Sequence, residues 1–307
     1  MTPRLPDFLV IGAFKSGTTA LVHCLDQHPD IFMPWIQEPN YFGHEAFDPT
    51  DSGLARPRRD TSTVYGRHRT TTGGQYQQLF DASRSDQIAG ECSPQYLTHP
   101  TACTRIRETV PEAKLIALLR NPIDRAYSDY LMFVRDGLES DSFATAVRRT
   151  PSIRPPGHYV KTGMYGRQLQ PFFESFPRTQ MRIHLYEDWV DDPQGLLSSL
   201  YSWLGVDAAF EADTSQRFNA SGMPNSRVVA LAYGAKRRMQ PVLKPITRNR
   251  LPGVQRYVQQ RLERGLRSES MAPDIRRELA GVYSGDVALL SDLLERDLSH
   301  WLAAPNA

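Results

Sequence analysis

Cysteine is scarce in this chain of 307 residues, with three thiols at Cys24, Cys92 and Cys103. An odd number without close spacing argues against a disulfide framework or a cysteine-held metal, and reduced thiols in a cytoplasmic protein are expected. Long hydrophobic runs are missing too. None approaches the roughly 18 apolar residues of a membrane span, so no transmembrane segment is expected. The first strand-like run begins at Phe8, and no signal peptide is expected. Charge of one sign is not in excess: 36 Lys and Arg face 34 Asp and Glu, a formal net charge of +2. That balance calls for no nucleic-acid partner. Repeats and low-complexity tracts are absent. What remains is an ordinary globular composition, 40% hydrophobic and 23% charged, enough for a sizeable core. A single domain over residues 1–307 is expected.

The most informative stretch follows the first apolar run. Phe8-Leu9-Val10-Ile11 fits a strand covered on both faces, and Gly12 leads towards Lys15-Ser16-Gly17-Thr18-Thr19. Leu21, Cys24, Leu25 and His28 then recur at helical spacing. Strand, tight turn and helix start offer backbone N–H groups, hydroxyls and one lysine to a phosphate-like anion. Gly17 lets the backbone approach such a ligand closely. The order differs from the Gly-Lys-Ser/Thr of the usual nucleoside triphosphatase loop. No acidic residue follows a strand where a partner for magnesium would stand, and no metal is expected.

Strand-like and helix-like segments alternate along the rest, which favours an α/β fold with a central parallel β-sheet flanked by helices. After the short extended piece Ile31-Phe32-Met33-Pro34, strands are expected at 87–91, 114–119 and 182–186. Helices are expected over 101–109, from Pro122 onward, and over 165–176, 193–204 and 272–302. Asn121-Pro122 is a good helix start, an N-cap residue with proline at the first helical position. Residues 44–74 and 136–162 read as surface loops of the kind that shape ligand choice. The stretch 236–267 holds ten Lys or Arg and one acid, Glu263. It is either a solvated face or a patch for an anionic acceptor or membrane surface.

A second anion site is legible near the middle. Arg120 stands at the carboxyl edge of the strand ending at Leu119, where ligands gather in open α/β sheets. Ser128 falls in the second turn of the following helix, so guanidinium and hydroxyl can close on one phosphate.

Together these pieces resemble the sulfotransferases that use 3′-phosphoadenosine-5′-phosphosulfate (PAPS). The resemblance runs through FLVIGAFKSGTTALVHCLDQHPDIFMPWIQEPNYF at 8–42 and LIALLRNPIDRAYSDY at 115–130. It continues in GMYGRQL from Gly163, LYEDW from Leu185 and LERDLSHW from Leu294. A P-loop-like sulfotransferase fold is implied, with PAPS as co-substrate and no metal. In that family the lysine-glycine turn holds the 5′-phosphosulfate, while an arginine and a serine hold the 3′-phosphate. Those roles fall on Lys15, Ser16, Gly17, Thr18 and Thr19, and on Arg120 and Ser128. Tyr186 matches a tyrosine near the adenine, with an ordinary core tyrosine as the equal alternative.

Ala20 stands where the phenol and steroid enzymes have tryptophan. Glu38-Pro39-Asn40-Tyr41-Phe42 is instead similar to the carbohydrate branch, which includes heparan sulfate enzymes and bacterial relatives. The matching glutamate there is the catalytic base, which points to Glu38. Gln37 and Cys92 replace two lysines of that branch and remove positive charge near the expected acceptor site, which argues against a sulfated glycosaminoglycan. The implied activity is in-line transfer of a sulfonate to a hydroxyl of a carbohydrate, glycolipid or natural product, releasing adenosine 3′,5′-bisphosphate (PAP). Lys15 and Glu38 would be the catalytic pair. Residues 214–227 fall where relatives close over the nucleotide. A nucleotide kinase with a variant phosphate loop, and a catalytically silent nucleotide-binding relative, stay open as alternatives.

Overall fold

A computed structural model describes residues 4–44, 48–50, 70–149, 159–216, 222–224, 229, 233, 265–267 and 270–303. The basic stretch apart from its last three residues, most of the 44–74 loop, residues 150–158 of the 136–162 loop, and residues 217–221 and 225–227 lie outside the described residues.

Strand β1, Phe8–Gly12, lies at the centre of a five-stranded sheet of order β2-β3-β1-β4-β5, with every pairing parallel. Its partners are β2 (Ile31–Phe32), β3 (Ile88–Cys92), β4 (Lys114–Leu119) and β5 (Met181–Leu185). Phe8, Leu9, Val10 and Ile11 are wholly buried, as a continuous apolar run in a two-sided sheet requires. The chain lays β2 and β3 on one side of β1, then crosses to lay β4 and β5 on the other. The carboxyl ends of β1 and β4 therefore meet at a topological switch point, where open α/β sheets bind ligands.

Side chains leave β1 alternately, and each face builds its own core. Phe8, Val10, Ile116 and Leu118 pack against α1 (Thr18–Leu25), α7 (Tyr186–Asp191) and α8 (Pro193–Leu204). Leu9, Ile11, Leu115 and Leu119 pack on the opposite face. Their cover is α3 (Ala102–Thr109), α4 (Pro122–Arg135), α5 (Phe143–Arg148), α6 (Tyr165–Ser175) and α9 (Pro273–Leu294). Helix α2, Gly73–Gln78, adds Tyr76 to that second core.

Three expectations need correction. Tyr186 opens α7 instead of ending a strand. The 136–162 segment contains α5, whose first turn Ser142 caps by accepting from Thr145 N. The last helix stops at Leu294, because Glu295 turns left-handed (φ 53°) and Arg296 N bonds back to Ser291 O at 3.1 Å. That stop returns Leu298 and Trp301 to the core, which a continuous helix would not.

Candidate active site

The turn after β1 is pinned by Ala13 N, which donates to Leu118 O at 2.9 Å. Lys15 and Gly17 both take left-handed backbone, φ 62° and 92°. A Cβ on Gly17 would lie 3.2 Å from Tyr186 Cε2, so glycine is required here by conformation and by space. Helix α1 then starts with no side-chain cap and no acidic residue in its first turn. Its amino end therefore presents N–H donors and the positive end of its dipole to the turn. Thr18 is buried and Thr19 exposed. Ser16 Oγ is buried beside the Tyr165 phenol, and neither oxygen makes a well-formed hydrogen bond among the described residues. Buried hydroxyls of this kind are rarely left unmatched, and a bound oxyanion would satisfy them.

Helix α4 supplies the facing wall. Asn121 Oδ1 accepts from Ile123 N at 2.9 Å, and Pro122 occupies the first turn, as the sequence predicts. Ser128 and Met132 lie four residues apart and so share one face. The Lys15 ammonium rests on Met132 Sδ at 3.6 Å, which brings the lysine turn and the Ser128 face together. Withdrawal from water pushes Lys15 down to about 8; Asp129 opposes this, while Arg135 and Arg120 reinforce it. Arg120 Nη1 donates to Lys15 O at 3.4 Å, and its guanidinium lies 5.0 Å from the centre of the Tyr186 ring. Lys15, Gly17, Arg120 and Tyr186 thus form one cluster.

Glu38 belongs to a second turn on the same cleft. It and Asn40 are both left-handed, φ 55° and 53°, and Asn40 Nδ2 donates to Glu38 O at 2.9 Å. Thr18, Thr19, Glu38, Gln37 and Cys92 line one cleft. Val22, Met33, Pro34 and Ile36 complete the lining, and no basic residue lines it among the described residues.

One functional group escapes the sequence. Glu91 reads there only as the last residue of the strand expected at 87–91, yet it is wholly buried under the Glu38 turn. Its carboxylate accepts from Tyr76 Oη at 3.1 Å, Tyr96 Oη at 2.5 Å and Ser93 Oγ at 2.8 Å. Burial pushes it up to about 7; the three hydroxyl donors oppose this, and the Glu38 charge adds to it. The available signal was a lone carboxylate inside an otherwise uncharged strand.

A family model described as the sulfotransferase family matches residues 6–211. Heparan sulfate glucosamine 3-O-sulfotransferase 3B1 of Mus musculus is 29% identical over 206 residues, 66% of this chain and 47% of its own length. Heparan sulfate glucosamine 3-O-sulfotransferase 6 of Mus musculus is 30% identical over 224 residues, 72% of this chain and 58% of its own. The chain spans about half the length of the curated relatives it matches. A crystal structure of a sulfotransferase from Alicyclobacillus acidocaldarius overlays with a TM-score of 0.70 at 28% identity, covering 98% of this chain and 100% of that one. The matched span runs from the lysine turn through the Glu38 turn to Arg120, Ser128 and Tyr186, and the chain belongs to the sulfotransferase family.

Proposed function

We propose that this chain transfers a sulfonate from PAPS to a hydroxyl of a carbohydrate, glycolipid or natural-product acceptor. One observation carries the assignment: Arg120 lies against both the Lys15 carbonyl and the Tyr186 ring, which supports reading the two candidate anion sites as parts of one nucleotide site. Bound PAPS supplies an activated sulfonate. Lys15, Ser16, Thr18, Thr19 and the first-turn N–H groups would hold its 5′ end, and the Gly17 turn leaves room for it. The Lys15 ammonium offsets charge that grows on the bridging oxygen, a contribution that is large where water is excluded. Arg120 and Ser128 hold the 3′-phosphate and act by positioning. Tyr186 offers a ring face to the adenine. Glu38, which lines one cleft with Thr18 and Thr19, takes the acceptor proton as general base.

The names of the curated relatives, which refer to heparan sulfate glucosamine, support a carbohydrate acceptor. The lack of a basic lining among the described residues favours one of low charge over a polysulfated glycan. The odd number of cysteines, without close spacing, supports a cytoplasmic setting. Calorimetry tests the nucleotide assignment: PAP should bind at least about tenfold tighter than AMP, since the 3′-phosphate gains charge-assisted bonds. Equal affinity for the two would overturn it. Incubation of acceptors with radiolabelled PAPS, followed by mass measurement of a single sulfonate gain, tests the transfer.

A further inference from the structure

Glu91 touches neither the cleft nor solvent, yet it stands two hydrogen bonds from the Glu38 turn. Its Oε2 accepts from Ser93 Oγ at 2.8 Å, and Ser93 Oγ accepts from Asn40 N at 3.0 Å. A serine hydroxyl has one proton, and an acceptor that engages it leaves the oxygen lone pairs for the Asn40 N–H. The other carboxylate oxygen is gripped by Tyr76 from α2 and by Tyr96 from the 3-10 turn Pro94–Thr98, which fixes the direction in which Ser93 must point. The turn so held carries two non-glycine residues at positive φ, Glu38 and Asn40, around Pro39. Backbone of this kind persists only where its surroundings over-determine it. Here the surroundings are the chain Glu91–Ser93–Asn40, which closes on the residue whose carboxylate faces the acceptor.

We infer that Glu91 is a positioning residue, which through Ser93 fixes the Glu38–Asn40 turn and so aims the Glu38 carboxylate into the cleft. This rests on the assignment of Glu38 as base. The groups that face Glu91 are the two phenols, the Ser93 hydroxyl and the Glu38 charge.

Amide hydrogen exchange at Asn40 and conversion of PAPS to PAP with water as acceptor, both on the full chain, test it. Ser93→Ala and Glu91→Gln should each speed Asn40 exchange about tenfold, the scale of one buried hydrogen bond. Amides of β1 and β4 and the affinity for PAP should stay as in the parent protein. Turnover should fall about tenfold with KM for PAPS unchanged, because only the base is misplaced. Ser93→Thr, which keeps the hydroxyl, should restore both readouts. Glu91→Gln added to Glu38→Gln should cost nothing further. Unchanged Asn40 exchange in Ser93→Ala overturns the inference, as does an equal turnover loss from Glu91→Gln with and without Glu38→Gln. If Glu91→Gln fails to fold, the Ser93→Ala and Ser93→Thr pair decides alone. Normal turnover in Glu38→Gln would overturn the base assignment itself, a result kept separate because the Asn40 amide reports on the turn whatever Glu38 does.

Discussion

The Lys15 ammonium rests on the sulfur of Met132, and withdrawal from water pushes it down to about 8. A lysine held this way loses its charge in mildly alkaline solution. A bound dianion favours the charged form, so binding takes up a proton and must weaken as pH rises through about 8. Calorimetry of PAP between roughly pH 6.5 and 9.5 should show that decline, and Lys15→Arg should abolish it because guanidinium does not titrate there. A flat profile in the unmodified protein would contradict the placement. Lys15→Ala and Glu38→Gln should each lower turnover at least about 100-fold, but by separable routes. The first should also weaken PAP binding, whereas the second should leave it intact. Near-normal turnover in either variant removes that residue from its role.

At the scale of elements, the starts of α1, α4 and α7 carry the proposed nucleotide contacts, and they were read with unequal ease. The start of α4 is written in adjacent residues, Asn121 as cap and Pro122 after it, so sequence alone located it to the residue. The lysine turn and β1 were legible for the same reason, since a buried strand and a glycine turn are local patterns. Tyr186 was misplaced because Met181–Leu185 and Tyr186–Asp191 run together without a glycine or proline between them. The break in α9 at Glu295 was hidden because a non-glycine residue takes the left-handed cap. Glu91 was hidden for a deeper reason. Its hydroxyl partner Tyr76 lies 15 residues upstream, on a helix that only tertiary packing brings over the strand. Helix α1 yields its own prediction. Gly17→Ala places a methyl 3.2 Å from the Tyr186 ring at a φ of +92°, which tilts the ring or the turn. PAP affinity should fall at least about tenfold, while urea unfolding should change by only about 1–2 kcal/mol. Unchanged affinity would mean that Tyr186 and the turn do not share the nucleotide.

Across the whole molecule, the segment after α9 ties together parts that are distant in sequence. Asn121 Nδ2 donates to Trp301 O at 2.8 Å, and Trp301 Nε1 donates to Glu187 Oε1 at 2.7 Å. Asn121 follows Arg120, and Glu187 follows Tyr186, so one tryptophan braces the residues next to both. Trp301 is 2% exposed, and Trp301→Ala should cost about 3–5 kcal/mol in urea unfolding. Trp301→Phe keeps most of the packing and loses the indole donor, which should cost about 1 kcal/mol. Both variants should bind PAP more weakly than the parent, by calorimetry, whereas binding as tight as the parent's in Trp301→Phe would mean that the Glu187 contact does not brace the site.

A ribosome delivers residue 301 long after the lysine turn has emerged. Until that tryptophan docks, Asn121 and Glu187 lack their shared brace, so a chain stalled upstream should hold the proposed donor nucleotide only weakly.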